Sequence, residues 1–71
     1  MSLRELREQQ KLRQVDVAKK LRVEQSTVSY WESGKHRPPR KYHKTLARLY
    51  GCSVDDIMMK TEESHERYHD L

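Results

Sequence analysis

The stretch from 25 to 31 carries neutral hydrogen-bonding side chains where an ordinary solvated helix face would carry Lys and Glu. At about 100° per residue in an α-helix, Val28 and Trp31 fall together on one apolar side. The opposite side holds an amide and hydroxyl groups. Such groups can pair with the edges of DNA bases, and glutamine suits two-point pairing with adenine. The side chains on this outward face are Ser26, Ser29 and Tyr30, with Gln25 at its edge.

A basic segment follows at 35–44, with five Lys or Arg, two His and no acidic residue. Arg37 or Arg40 would suit a narrow, A·T-rich minor groove, and a helix beginning after the two prolines would offer amides to a phosphate. The alternative is a solvated basic loop without a partner. His36 and His43 also have two interpretations, as phosphate contacts that strengthen below about pH 6.5 or as solvated side chains.

Two other features, a histidine motif near the end of the sequence and the single cysteine, do not indicate a catalytic site. Residues 65–69 spell H-E-x-x-H, a zinc-binding spacing, but catalysis would need a third ligand and a cleft that excludes water. Because no apolar residues frame this motif, we interpret it as a chance match and expect no catalytic residue, metal or cofactor. Cys52 has no basic cluster near it, which predicts a small core residue rather than a nucleophile.

The elements that must position these residues are helical, because apolar residues recur at helical spacing and alternation with period two is absent. Five short helices are predicted, at about 2–10, 14–21, 25–33, 39–50 and 54–60. Only 22–24 separates the second helix from the third. Two helices across so short a turn form a helix-turn-helix, whose second helix enters the major groove of DNA. Gly34 suits the left-handed residue that ends the third helix, and Ser53 with Asp56 predicts a capping box for the fifth.

A chain of 71 residues has room for one small domain, which we assign to 1–60. A polar acidic tail at 61–71 is expected to fray. Net charge is +8 over 1–50 and −4 over 51–71, which favours a polyanionic partner for the basic part. Mean hydropathy is −1.15, and we expect no membrane segment and no signal peptide. With a single cysteine, this favours a reducing, cytoplasmic (nucleoid) location.

An ordered set of short motifs spans most of the chain. It comprises Leu3-Arg4-Glu5-Leu6-Arg7, Gln14, Val17-Ala18, Leu21, Val23, Ser26-Thr27-Val28-Ser29, Trp31-Glu32-Ser33-Gly34-Lys35, a proline at 38 or 39, Leu46-Ala47, Leu49-Tyr50-Gly51 and Ser53-Val54-Asp55. In its order and spacing this set resembles the phage-repressor, Cro-type (XRE) helix-turn-helix family. The resemblance implies an all-α, five-helix fold like that of lambda repressor, with the helix-turn-helix at the second and third helices.

The resemblance also implies roles for individual residues. Gln14 would hold a phosphate and brace Gln25, while Arg7 and Glu32 would form a buried structural ion pair. Ala18 would be the small residue where the second helix packs on the third. The base-reading positions are Gln25, Ser26, Thr27, Ser29 and Tyr30, and the backbone-contacting positions are Arg13, Gln14, Arg22, Lys35, Arg37, Arg40 and Lys41.

Several residues depart from the family pattern, among them Tyr30 and Trp31, which are bulkier than common. Arg22 stands where the family usually has glycine. If its backbone is left-handed, the cost is on the order of 1 kcal/mol, which a phosphate contact would offset. Glu24 replaces the usual Ser or Thr cap of the third helix, although a carboxylate can also cap. Arg13 occupies the cap position of the second helix.

These inferences predict a transcriptional regulator that binds double-stranded DNA, most simply a repressor acting as a homodimer on a two-fold operator. One alternative is an antitoxin-type autoregulator with a toxin partner. Another is a coactivator-like protein-interaction module that reads no bases. For Met58 and Met59, the sequence leaves open whether they fill the core or form part of a dimer contact.

Overall fold

The computed structural model describes residues 2–58, and within this range every regular element is a helix. The elements are α1 (Leu3–Gln9), α2 (Gln14–Leu21), α3 (Gln25–Ser33), a 3₁₀ turn (Arg40–Tyr42), α4 (His43–Tyr50) and α5, which begins at 54 and continues to at least 58. The predicted all-α class and the five helical segments are confirmed. The acidic tail, the H-E-x-x-H motif and Met59 lie outside the described residues, so the division at residue 60 stays a prediction.

Two capping boxes fix where helices begin. The Ser2 hydroxyl accepts a hydrogen bond from the Glu5 amide at 3.1 Å, and the Glu5 carboxylate accepts one from the Ser2 amide at 2.9 Å. Ser53 and Asp56 repeat this exchange at the start of α5, at 3.0 and 3.2 Å, as the sequence predicted. Each box satisfies donors that the first turn of a helix leaves without intrahelical partners.

The core lies where α2 and α3 cross and where α1, α4 and α5 cover them. Its most deeply buried side chains are Val17, Val28, Leu46 and Ile57, one each from α2, α3, α4 and α5. Ala18 is 3% exposed, which agrees with the small packing position expected there. The burial of Ile57 shows that α5 belongs to the domain rather than to a tail. Among residues 2–58, no helix has the length and apolar character needed to cross a bilayer.

Two non-glycine residues have left-handed backbones, one in each turn that flanks α2. Arg22 ends α2 with φ 58° and ψ 45°, and Lys11 has φ 57°. In the turn after α2, which contains Arg22, the Val23 amide donates to the Ala18 carbonyl at 3.0 Å, and this bond closes the end of α2. The left-handed conformation suspected for Arg22 is therefore confirmed, and both residues carry a steric cost that glycine would avoid.

The fourth helical segment differs from the prediction at its start. The sequence placed a helix from 39, whereas a 3₁₀ turn occupies Arg40–Tyr42 and the α-helix begins only at His43. Pro39 caps the 3₁₀ turn with an extended backbone, and Pro38 is buried. The two prolines keep only 37 and 38 out of helical geometry, and the turn that follows closes with a 3.0 Å hydrogen bond from the Tyr42 amide to the Pro39 carbonyl, the 3₁₀ pattern that is frequent at helix N-termini.

Candidate nucleic-acid interface

Helix α3 presents the polar face that its sequence predicted. Val28 is 1% exposed and Trp31 is 3% exposed, so both belong to the core. The five predicted base-reading residues lie on the remaining surface: Gln25, Ser26 and Tyr30 are exposed, and Thr27 and Ser29 are half-buried. This set is uncharged and dominated by hydrogen-bonding groups, which matches what base edges in a major groove require.

A buried ion pair ties α1 to α3. The Arg7 Nε lies 2.6 Å from Glu32 Oε2, and Arg7 Nη2 lies 3.1 Å from Glu32 Oε1, with both side chains at most 10% exposed. Arg7 Nη1 also donates to the Leu12 carbonyl at 2.8 Å. Hydrogen bonding to Glu32 raises the pKa of Arg7. The predicted Arg7–Glu32 pair is present with two-point geometry, and it holds the rear of α3 against α1.

Gln14 connects this ion pair to the exposed face of α3. Its Nε2 donates to Glu32 Oε1 at 3.0 Å, and its Oε1 accepts a weak 3.5 Å hydrogen bond from Gln25 Nε2. We call the series Arg7–Glu32–Gln14–Gln25 the polar bridge. The bracing of Gln25 was expected, whereas the bond from Gln14 to Glu32 was not. It orients the amide of Gln14 from the buried side.

The basic segment lies against the same helix through Tyr30. The Lys35 and His36 amides both donate to the Tyr30 carbonyl, at 3.0 and 3.3 Å. The Lys35 ammonium lies 4.5 Å from the centre of the Tyr30 ring, and the His36 ring meets it edge-on at 5.3 Å. Tyr30, predicted to read bases, is 38% exposed and also holds the start of the basic segment next to the reading face. The sequence carried no signal for this second role.

The other residues predicted to contact the DNA backbone are exposed cations, and Arg13 differs from the rest because it has an acidic partner. Arg37, Arg40 and Lys41 are exposed, and the Lys41 ammonium lies 5.2 Å from the Tyr42 ring. Arg22 is exposed at the turn between α2 and α3. Arg13 differs because its guanidinium donates twice to the Asp16 carboxylate, at 3.0 and 3.1 Å. A phosphate at Arg13 would therefore have to compete with an existing acidic partner.

Asp16, rather than Arg13, supplies the cap of α2. Its Oδ2 accepts from the Arg13 amide at 2.9 Å. Hydrogen bonding to Arg13, first through the side chain and then through the backbone, lowers the pKa of Asp16 to about 2. At α3, Glu24 occupies the N-cap position but its side chain makes no capping bond. The Glu24 carboxylate does not replace the missing Ser or Thr in this structure.

Neither interpretation of His43 from the sequence is right. His43 is 8% exposed, and its Nε2 lies 2.9 Å from the Pro38 carbonyl, so the imidazole is neither solvated nor free for a phosphate. It links the first turn of α4 to the buried proline. His36, in contrast, is exposed. The error arose because the ring reaches back across the 3₁₀ turn to the Pro38 carbonyl, a contact that the residue types do not indicate.

In residues 2–58, α2 and α3 are thus joined by a short turn in which Arg22 has a left-handed backbone. The exposed face of α3 is neutral, and the basic segment lies beside it. These features define a helix-turn-helix DNA-binding domain. Within the same residues, no three His, Cys, Asp or Glu side chains could share a metal ion. Cys52 is half-buried against the core, and burial raises the pKa of its thiol, which confirms the expected packing role.

Comparison with known proteins agrees with this class. A family model described as helix-turn-helix matches residues 3–57, and the chain therefore belongs to the helix-turn-helix family of the XRE type. The chain is 30% identical over 61 residues to an uncharacterized HTH-type transcriptional regulator of Archaeoglobus fulgidus, covering 86% of each protein. A Methanocaldococcus jannaschii protein of the same description is 35% identical over 52 residues, covering 73% of this chain and 79% of the relative.

A longer relative carries a similar domain. An uncharacterized HTH-type transcriptional regulator of Bacillus subtilis is 36% identical over 61 residues, which is 86% of this chain but 54% of the Bacillus protein. No solved structure matches the chain significantly. The family assignment therefore depends on the sequence comparisons and on the helical arrangement described above.

Proposed function

We propose that this protein is a transcriptional regulator that binds a specific double-stranded DNA site and represses by occupying a promoter. The observation that carries the proposal is the continuity of two surfaces. The neutral face of α3 is joined by Tyr30 to a segment of exposed cations that includes Lys35 and Arg37. The first surface suits base edges and the second suits phosphates, and specific DNA binding needs both.

In this proposal, α3 lies in the major groove. Gln25 and Ser29 contact base edges, with Ser26, Thr27 and Tyr30 at the borders of the same face. Backbone contacts come from Gln14, Arg22 and the exposed cations Lys35, Arg37, Arg40 and Lys41, with Arg13 as a weaker contributor because Asp16 engages it. Phosphate contacts supply affinity without sequence information, so binding should fall steeply with salt.

A homodimer on a two-fold operator completes the proposal. A single reading helix contacts only a few base pairs, and two copies about 34 Å apart would read half-sites one helical turn apart. The protein would act in the cytoplasm, at the nucleoid. The names of its relatives as transcriptional regulators support regulation, while repression follows from steric exclusion at a promoter.

Selection of binding sites from a random duplex pool tests this function. We expect enrichment of an inverted repeat with half-sites about one turn apart. Gln25→Ala and Ser29→Ala should relax base preference, and losing a good base contact should cost on the order of 1–3 kcal/mol of discrimination. Gln9→Ala is the matched control, because it removes the same amide from an exposed position on α1.

Two results would contradict the proposed function. If no sequence is enriched and binding is weak and vanishes at moderate salt, only nonspecific electrostatics remain. That outcome would overturn the proposal in favour of a protein-interaction module. If Gln25→Ala and Ser29→Ala change base preference no more than Gln9→Ala does, α3 does not read the site.

A further inference from the structure

A polar cleft lies between α1 and α3, on the side where the polar bridge reaches the surface. It is open to solvent, with a volume of about 440 Å³, larger than a phosphate group. We call it the α1–α3 cleft. Its lining residues are Arg4, Arg7, Gln14, Ser29, Glu32 and Ser33. Every one of them has a polar or charged side chain, which is unusual for a gap between packed helices.

The charges in the cleft leave one cation in excess. Arg7 and Glu32 neutralise each other in the buried ion pair, so Arg4 is the remaining cation of the lining, and its own acidic partner, Glu8, stands outside that lining. Hydrogen-bond donors are also present, since Gln14 uses one N–H for Glu32 and has a second. Ser29 adds a hydroxyl. An accessible pocket with net positive charge and several donors fits an oxyanion of single negative charge.

Arg4 is well placed to supply that charge. The capping box of Ser2 and Glu5 fixes the first turn of α1, on which Arg4 lies. Its side chain is 68% exposed, and its Nε contacts Glu8 Oε2 at 3.3 Å, a surface pair four residues apart. A single exposed contact of this kind is weaker than the two-point Arg13–Asp16 pair and is readily exchanged. A phosphate can therefore take the place of Glu8 without disturbing the core.

The cleft shares two residues, Gln14 and Ser29, with the proposed DNA interface. We propose that the α1–α3 cleft binds a phosphate of the DNA backbone and that Arg4 is the residue that holds it. This inference depends on the proposed DNA-binding function and extends it to α1. DNA whose bases meet Gln25 and Ser29 passes its backbone across the mouth of the cleft.

The test measures affinity against salt concentration for two duplexes of equal length, the enriched site and a scrambled sequence. Arg4→Gln should weaken binding to both by the same factor, about eightfold at 0.1 M salt, and should reduce the slope of log K against log salt by about 1. Arg48→Gln is the control, because it removes an exposed arginine that does not line the cleft. It should leave the slope unchanged.

Glu8→Gln separates binding from helix stability. It breaks the same surface pair but frees Arg4, so we expect binding at least as tight as that of the wild type. Equal weakening by Arg4→Gln and Glu8→Gln would show that the pair acts only through α1, and would overturn the inference. In the wild-type protein, the Arg4 Nε–H resonance should shift when either duplex is added, and an unmoved resonance would contradict contact.

The outcomes distinguish this inference from the function on which it depends. If the wild-type protein binds neither duplex, the proposed function fails. If it binds the enriched site with a steep salt slope and Arg4→Gln keeps that slope, the function stands and the phosphate site at Arg4 is refuted.

Discussion

Breaking the Arg7–Glu32 pair from one side should unfold most of the protein. Glu32→Leu would leave the Arg7 guanidinium buried with the Leu12 carbonyl as its remaining hydrogen-bond partner, and Arg7→Met would leave a buried carboxylate. Removing one member of a buried pair costs about 3–5 kcal/mol. A core of this size supplies only about 3–5 kcal/mol in total. The free energy of unfolding of either single variant should therefore be near zero or negative at 25 °C.

Replacing both members should restore the fold. In Arg7→Met/Glu32→Leu no buried charge remains, and such replacements by apolar residues are often neutral or stabilising. Urea denaturation followed by circular dichroism at 222 nm would measure the free energy of unfolding of the wild type, the two single variants and the double variant. We expect the double variant to lie within about 1 kcal/mol of the wild type, far from the sum of the two single losses.

The double variant should nevertheless read DNA less well. Without Glu32, Gln14 loses its 3.0 Å acceptor and can no longer hold Gln25 in one orientation. Discrimination at the base that Gln25 contacts should fall by part of the roughly 1–3 kcal/mol that such a contact provides. Competition between duplexes differing at that base, with the salt slope as a second readout, separates this effect from lost phosphate contacts.

Three results would refute this reasoning. Single variants as stable as the wild type would mean that the pair is not desolvated in solution. A double variant that stays unfolded would mean that the pair has a role in folding beyond satisfying its own charges. A folded double variant with unchanged base preference would show that the polar bridge does not orient Gln25.

Three further predictions concern backbone strain, pH and thiol reactivity. Arg22→Gly should raise the free energy of unfolding by about 0.5–1 kcal/mol, since relief of a left-handed side chain exceeds the added entropy of glycine. Lys11→Gly should do the same, and thermal denaturation showing both variants less stable would contradict the strain argument. Asp16, with its pKa of about 2, should stabilise the protein above the ordinary carboxyl pKa of 3.8 and lose that effect as pH falls through 2. A carboxyl titration by NMR with a midpoint near 4 would disprove this, and Arg13→Ala should move the midpoint upward. Because burial raises the pKa of Cys52, alkylation at pH 8 should be slower than for a free cysteine and should accelerate in urea. Equal rates in both conditions would show that the thiol is not packed.

Local signals predicted the helices and most of their ends, with the start of α4 as the exception. Apolar spacing located the helical segments, and Ser53 with Asp56 located the cap of α5, because both depend on residues within one or two turns. The left-handed backbone of Arg22 was suspected only through the family resemblance, which implies a glycine at that position. The neutral face of α3 followed from the same helical periodicity.

Contacts between distant segments were harder to predict. The bond from Gln14 to Glu32 needs the start of α2 to lie against the end of α3, and no spacing within one helix encodes that. The burial of His43 depends on a 3₁₀ turn whose length the prolines do not specify. Arg4 gave no signal for binding, because an exposed arginine four residues from a glutamate is typical of a solvated helix.

The polar bridge divides the reading face into two kinds of position. Gln25 is connected by its weak 3.5 Å bond to Gln14, which in turn donates to the buried Glu32, so its replacement also releases the Gln14 amide oxygen. Ser26 is exposed and makes no side-chain hydrogen bond within residues 2–58. Substitutions at such a site usually change stability by less than about 0.5 kcal/mol. Substitution at Ser26 can therefore change the recognised sequence alone, while substitution at Gln25 also changes the hydrogen bonding of Gln14.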